Sequence, residues 1–113
     1  HAMTAVAVRL EDDDAGVRWS AMQALSEIVE KGDRHAMKAV AARLEDDASG
    51  VRQSAVEALG QIAEKGDEHA MTAVAVRLED DDAGVRWSAM QALSEIVEKG
   101  DRHAMKAVAA RLE

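Results

Sequence analysis

Versions of the stretch Asp13-Asp14-Ala15-Gly16-Val17-Arg18-Trp19-Ser20-Ala21-Met22-Gln23-Ala24-Leu25 recur from Asp47 to Leu59 and from Asp81 to Leu93. Within each copy Val-Arg is followed by Ser-Ala and Ala-Leu at fixed offsets. Val17, Ala21, Ala24, Leu25 and Ile28 therefore fall on one side of a helix of 3.6-residue period, which marks a core face.

Working outward, His-Ala-Met opens at His1, His35, His69 and His103, a period of 34 residues. The expected organisation is one repeat domain over 1–113, with repeats 1–34, 35–68 and 69–102 and a half repeat 103–113. Residues 1–45 are identical to residues 69–113, whereas repeats 1 and 2 differ at 11 of 34 positions. Two repeat types, odd and even, thus alternate.

Composition narrows the class. Zero Pro and seven Gly in a chain rich in Ala, Glu, Leu and Arg point to an all-α protein punctuated by glycine. Trp19 and Trp87 are the only aromatic residues, so the interior is expected to be built from Ala, Val, Leu, Ile and Met. A net charge of -8 opposes nucleic acid and anionic membrane as partners. The absence of Cys excludes disulfides and thiolate metal sites. The longest apolar runs are too short to cross a bilayer and no secretory signal is present. A soluble protein, cytoplasmic if natural, is expected.

Each repeat reads as two helices. Helix A of the second repeat is predicted from about Arg34 to Leu44, with Asp33 as N-cap and Ala36, Met37, Val40 and Leu44 as its apolar stripe. Helix B is predicted to start near Asp13 or Asp14, which cap it, and to end at Lys31 and Gly32. The resulting count is seven helices, the last of them a helix A without a partner.

A 34-residue period is shared with tetratricopeptide repeats, but their signature requires Tyr, Phe and Pro, which are absent. Instead, Leu-Glu-Asp-Asp, then Val-Arg-x-Ser-Ala-x-x-Ala-Leu-x-x-Ile, then Gly-Asp-x-x-Ala resembles HEAT-like repeats of the phycobilin lyase type and the artificial consensus repeats derived from them. The resemblance covers the whole chain. It departs from the consensus at Glu30-Lys31, before Gly32, where the consensus turns sooner. It implies a right-handed α-solenoid with A helices on the convex layer and B helices on the concave one. It also implies a ladder of ion pairs from Arg18, Arg52 and Arg86 to Asp residues of preceding turns or neighbouring repeats.

Catalytic and metal chemistry finds little support. Aligning Gly16 with the central glycine of a calcium-binding loop places Ala15 and Met22 where ligands are required, so the acidic runs read as helix caps and solvated charge. The four His residues, one per repeat, are spaced about 10 Å apart, too far to share a metal at about 2 Å. Ser20, Ser54 and Ser88 read as small residues of the packed side of helix B, with no base placed to activate them. No catalytic, cofactor or metal residues are expected, and no cofactor.

Differences between odd and even repeats are more informative. Val8, Trp19, Met22 and Val29 of the odd repeat become Ala42, Gln53, Val56 and Ala63 in the even one, always the smaller or more polar choice. Trp19, Met22, Ser26 and Val29 form a second stripe on helix B, and the family resemblance puts Trp19, Gln23 and Ser26 on the variable concave surface. Gly60 replaces Ser26 and leaves a shallow place, at a helix-interior cost of about 0.5–1 kcal/mol. Two readings remain open: bulky and slim repeats interdigitate inside the array, or the bulky stripe is exposed and binds a protein. The second selects Trp19, Met22, Gln23, Ser26, Gln53, Val56, Gly60, Trp87, Met90, Gln91 and Ser94 as the binding set.

The expected function is a non-enzymatic scaffold for protein binding or self-assembly; a bilin lyase-type chaperone or enzyme accessory is the alternative the resemblance offers. Forty-five identical residues at a separation of 68 suggest a designed, consensus-built or trimmed array. No polar capping repeat is visible at His1 or Glu113, so the ends are expected to fray or stack on another molecule. Self-association is expected through the Trp19/Met22 and Trp87/Met90 stripes, the ends, or both. Trp19 lies about 200° around helix B from Val17, out of reach of its own repeat's core.

Overall fold

The computed structural model describes residues 8–30 and 32–97. Five α-helices occur among them: α1 (Ala15–Ile28), α2 (Arg34–Ala42), α3 (Ser49–Ile62), α4 (Glu68–Val76) and α5 (Ala83–Ile96). Short 3-10 turns, Arg43–Glu45 and Arg77–Glu79, close α2 and α4. The expected count was seven. The missing first and last helices A fall largely on residues 1–7 and wholly on 103–113, outside the described residues, as do both expected fraying ends and Lys31.

Local chemistry sets the helix starts. Asp33 and Asp67 accept the N–H groups of Ala36 and Ala70 at 3.0 Å, capping α2 and α4. Asp14 accepts from Gly16 and Val17, and Asp82 from Val85, capping α1 and α5. The even repeat breaks this pattern, because Ala48 occupies the N-cap of α3 and offers no side-chain acceptor.

The B helices end earlier than their sequence suggests. α1, α3 and α5 stop at Ile28, Ile62 and Ile96, and the next residue turns to extended backbone. Gly32 and Gly66, expected to terminate the helix of their own repeat, instead adopt φ of 81° in the loop beyond it. Their N–H groups donate to the carbonyls of Ile62 at 2.6 Å and Ile96 at 2.5 Å. Each glycine thus satisfies an orphan carbonyl at the C-terminus of the following repeat's helix B. A left-handed residue is needed there, and a Cβ on Gly32 would collide with the Glu64 side chain.

Packing follows from the apolar faces. α1, α3 and α5 lie against one another in sequence, while α2 packs on α3, and α4 on α3 and α5. Val51, Ala55, Leu59 and Ile62, with Val85, Ala89, Leu93 and Ile96, are fully buried. The corresponding Ile28 is 52% exposed. The contact of α3 with α5 is more extensive than that of α1 with α3. Gly60 permits it: a Cβ there would stand 3.1 Å from Ala92 Cβ and 3.2 Å from its Cα. Gly60 is therefore a point of close helix approach and not the shallow surface place expected of it.

Two substitutions test these assignments. Ala48 shares the extended backbone of Asp14 and Asp82 (φ -88°, ψ 121°), so Ala48→Asp should add a cap and stabilise by about 1 kcal/mol in denaturant titration. Gly60→Leu should separate α3 from α5 and destabilise by about 1–3 kcal/mol; unchanged stability would disprove the close-approach role.

Candidate functional site

The B helices carry one row of residues away from the core, and the two Trp residues stand on it. Trp19 on α1 is 48% exposed and Trp87 on α5 is 62% exposed. Gln23, Gln91 and Ser94 are exposed beside them, and Ser26 is half-buried. Ser26 and Ser94 each donate to a carbonyl of their own helix, Gln23 O at 2.9 Å and Met90 O at 3.1 Å.

The remainder of the predicted set is corrected. Met22 and Val56 are fully buried and belong to the core cluster, and Gly60 is buried against Ala92. Each helix B is flanked by others, so positions 22 and 56 turn into the seam between repeats and not toward solvent. Met90, the equivalent of Met22 on α5, is half-buried against the same core. The odd-even alternation accordingly divides: Met22 and Val56 interdigitate inside, while Trp19 and Trp87 project outward.

Gln53, which replaces Trp at this position in the even repeat, has a role the sequence reading missed. Its Nε2 donates to Ser88 Oγ at 3.1 Å, and Ser88 Oγ donates to Glu57 Oε2 at 3.2 Å. One repeat earlier, Gln23 Nε2 donates to Ser54 Oγ at 2.9 Å. Ser54 and Ser88 are thus buried polar rungs between repeats, whereas Ser20 is exposed, contrary to the packed place expected for it. The signal in the sequence was the paired change from Trp19 and Gln23 to Gln53 and Glu57.

On the edge formed by the interhelical turns, the arginine ladder takes shape. Arg18 binds Asp46 of the following repeat through Nε to Oδ2 at 2.8 Å and Nη2 to Oδ1 at 3.0 Å, a bidentate pair. Its Nη1 donates to the Asp12 and Asp13 carbonyls of its own turn at 2.7 and 3.0 Å. Arg52 repeats the arrangement with Asp80 at 2.9 and 3.0 Å. Arg86 donates through Nη1 to the Asp80 carbonyl at 2.6 Å. The carboxylates of Asp46 and Asp80 also accept the N–H groups of Ala48 and Asp82, so they shape the turns that precede α3 and α5.

These contacts shift titration. Burial alone would raise the Asp46 carboxyl, but the hydrogen bonds from Arg18 and the Ala48 N–H, with the Arg18 and Arg43 charges, hold it below its ordinary value. Asp80 is lowered in the same way against its burial by Arg52 and the Asp82 N–H. The hydrogen bonds to these carboxylates raise Arg18 and Arg52 in turn.

His35 and His69 are exposed in the first turns of α2 and α4, while His1 and His103 lie outside the described residues. Among the described residues no three His, Asp or Glu side chains converge to hold a metal ion. No helix among them is long and apolar enough to cross a membrane.

A stack of short helix pairs joined by an Arg-Asp ladder defines an α-helical repeat protein. The family model of HEAT repeats matches residues 2–94, and the chain belongs to the HEAT-repeat family. Among curated proteins none matches it.

The folded carboxyls of Asp46 and Asp80 sit below their unfolded values, so their stabilisation is complete above the ordinary carboxylate range and is lost as pH falls through the folded values. Thermal melts should be level from neutral pH to about 5 and decline below about 4. Asp46→Asn/Asp80→Asn should melt lower at neutral pH and show a shallower acid decline. An acid decline as steep as that of the unsubstituted chain would refute the assignment.

Proposed function

We propose that the chain is a non-enzymatic scaffold, a HEAT-repeat solenoid of one domain whose B-helix face binds protein. HEAT repeats generally mediate protein–protein interaction, and the family membership supports the class. One observation carries the reading further: the only two aromatic residues of the chain, Trp19 and Trp87, both project from the same repeat position into solvent. Burying either would help fill a core made otherwise of small aliphatics. Large, rigid and amphipathic side chains left outside are typical anchors of interfaces. Gln23, Ser26, Gln91 and Ser94 supply hydrogen-bonding groups around them, with Gln53 between.

The finer reading is self-association. Trp19, Gln53 and Trp87 run bulky, slim, bulky across three B helices, so the row reads the same from either end. A two-fold dimer sets Trp19 of one copy toward Trp87 of the other and uses both rows at once. The identity of residues 1–45 with 69–113 suits a consensus-built or designed array that meets copies of itself; a natural gene encoding these repeats would refute that origin.

Sedimentation over a range of concentrations tests the dimer. Trp19→Gln/Trp87→Gln, which installs the residue of the even repeat, should abolish association and leave helicity unchanged. Retained association would move the contact elsewhere, and an unsubstituted chain that stays monomeric at high concentration with both Trp side chains open to quencher would refute it.

A further inference from the structure

The A helices hold a second feature, a cleft of about 360 Å³ between α2 and α4. That volume falls within the range of small-ligand sites, roughly 300–1,000 Å³. Its walls are Met37 and Ala41 from α2 and Ala70 and Ala73 from α4, and Leu59 of α3 forms its floor. Three alanines explain the space, since side chains this short do not bridge the two helices.

The rim carries charge where helix physics opposes it. Arg34 and Lys38 stand one turn apart on α2, a like-charged i,i+4 pair that repels. Arg34 is also the first residue of α2, beside the positive end of the helix dipole. Among the described residues neither has an ion-pair partner, although the chain carries a net charge of -8. One period of 34 residues on, α4 has Glu68 and Thr72 at the same two positions, so these cations belong to α2 and not to α4. Across the cleft, His69 is exposed, and the one carboxylate on the rim, Asp67, accepts the Ala70 N–H as the cap of α4.

We propose that this cleft binds an amphipathic carboxylate, an organic acid whose apolar body lies on Met37, Ala41, Leu59, Ala70 and Ala73 and whose carboxylate meets Arg34 and Lys38. The Arg34 guanidinium offers the planar fork that pairs with a carboxylate through two hydrogen bonds. Lys38 adds a point charge one turn away. Such a ligand satisfies the apolar walls and the two unpaired cations together. The site shares no lining residue with the row of Trp19 and Trp87 and is independent of the protein-binding reading.

Octanoate, titrated below its micelle-forming concentration and followed by calorimetry and backbone amide shifts, tests the proposal. Saturable one-to-one binding is expected, with shifts at Ala41, Ala70 and Ala73. Arg34→Glu/Lys38→Thr, both at exposed positions and both the residues that α4 carries there, should weaken it about tenfold or more, and neutral octanol should bind the unsubstituted chain similarly weakly. Ala73→Leu fills the cleft and keeps both cations, so it should abolish binding; should that variant lose helicity, the charge substitutions decide. The proposal is overturned by absence of saturable binding, by unchanged affinity in the charge variant, or by shifts that gather around Trp19 and Trp87. Capture of an acidic amphipathic peptide in the cleft without octanoate binding would also overturn it, in favour of a protein partner.

Discussion

A helix pair of nine and fourteen residues with one apolar face on each member has nothing of its own to bury that face against. This constraint organises the molecule. Each repeat closes its core by lying against its neighbour, as Val51 to Ile62 and Val85 to Ile96 do. Isolated helices of this length are marginal in water, so stacking supplies the stability as well as the shape.

Apolar burial is non-directional and leaves the register between repeats undetermined. Three directional contacts set it. The Arg18–Asp46 and Arg52–Asp80 pairs tie one helix B to the turn before the next, and the same carboxylates shape that turn through a backbone N–H. The Gln23–Ser54 and Gln53–Ser88 rungs tie adjacent B helices. The Gly32 and Gly66 N–H groups close the helix ends of the following repeat. Each polar group buried by stacking finds its partner across the seam, and no buried side-chain polar atom among the described residues is left without one.

The repeats differ from one another at surface positions as well as in the core. Core, caps and seam draw mainly on residues shared by the copies. What alternates on the surface is the Trp of odd repeats against Gln53, and Arg34 and Lys38 of α2 against Glu68 and Thr72 of α4. The first lies on the B-helix face and the second on the A-helix side, so one alternating array presents two chemically distinct surfaces.

By itself the sequence determined the helical class, the 34-residue period, the capping aspartates and the placement of Trp19 and Trp87 off the core face of their own helices, because caps and periodicity are local and 3.6 residues per turn fixes direction on a helix. Tertiary structure decided matters that depend on a neighbour's position. Met22 and Val56 lie on the same helix surface as Trp19 when a helix is taken alone, yet the following helix B closes over them. Gly60 reads as a gap until Ala92 is placed 3.1 Å from its missing Cβ. Gly32 reads as the stop of its own helix until its N–H is found on Ile62 of the next repeat. Pairing across a seam depends on distance in space, and a one-dimensional period carries no record of which residue of the next repeat stands opposite.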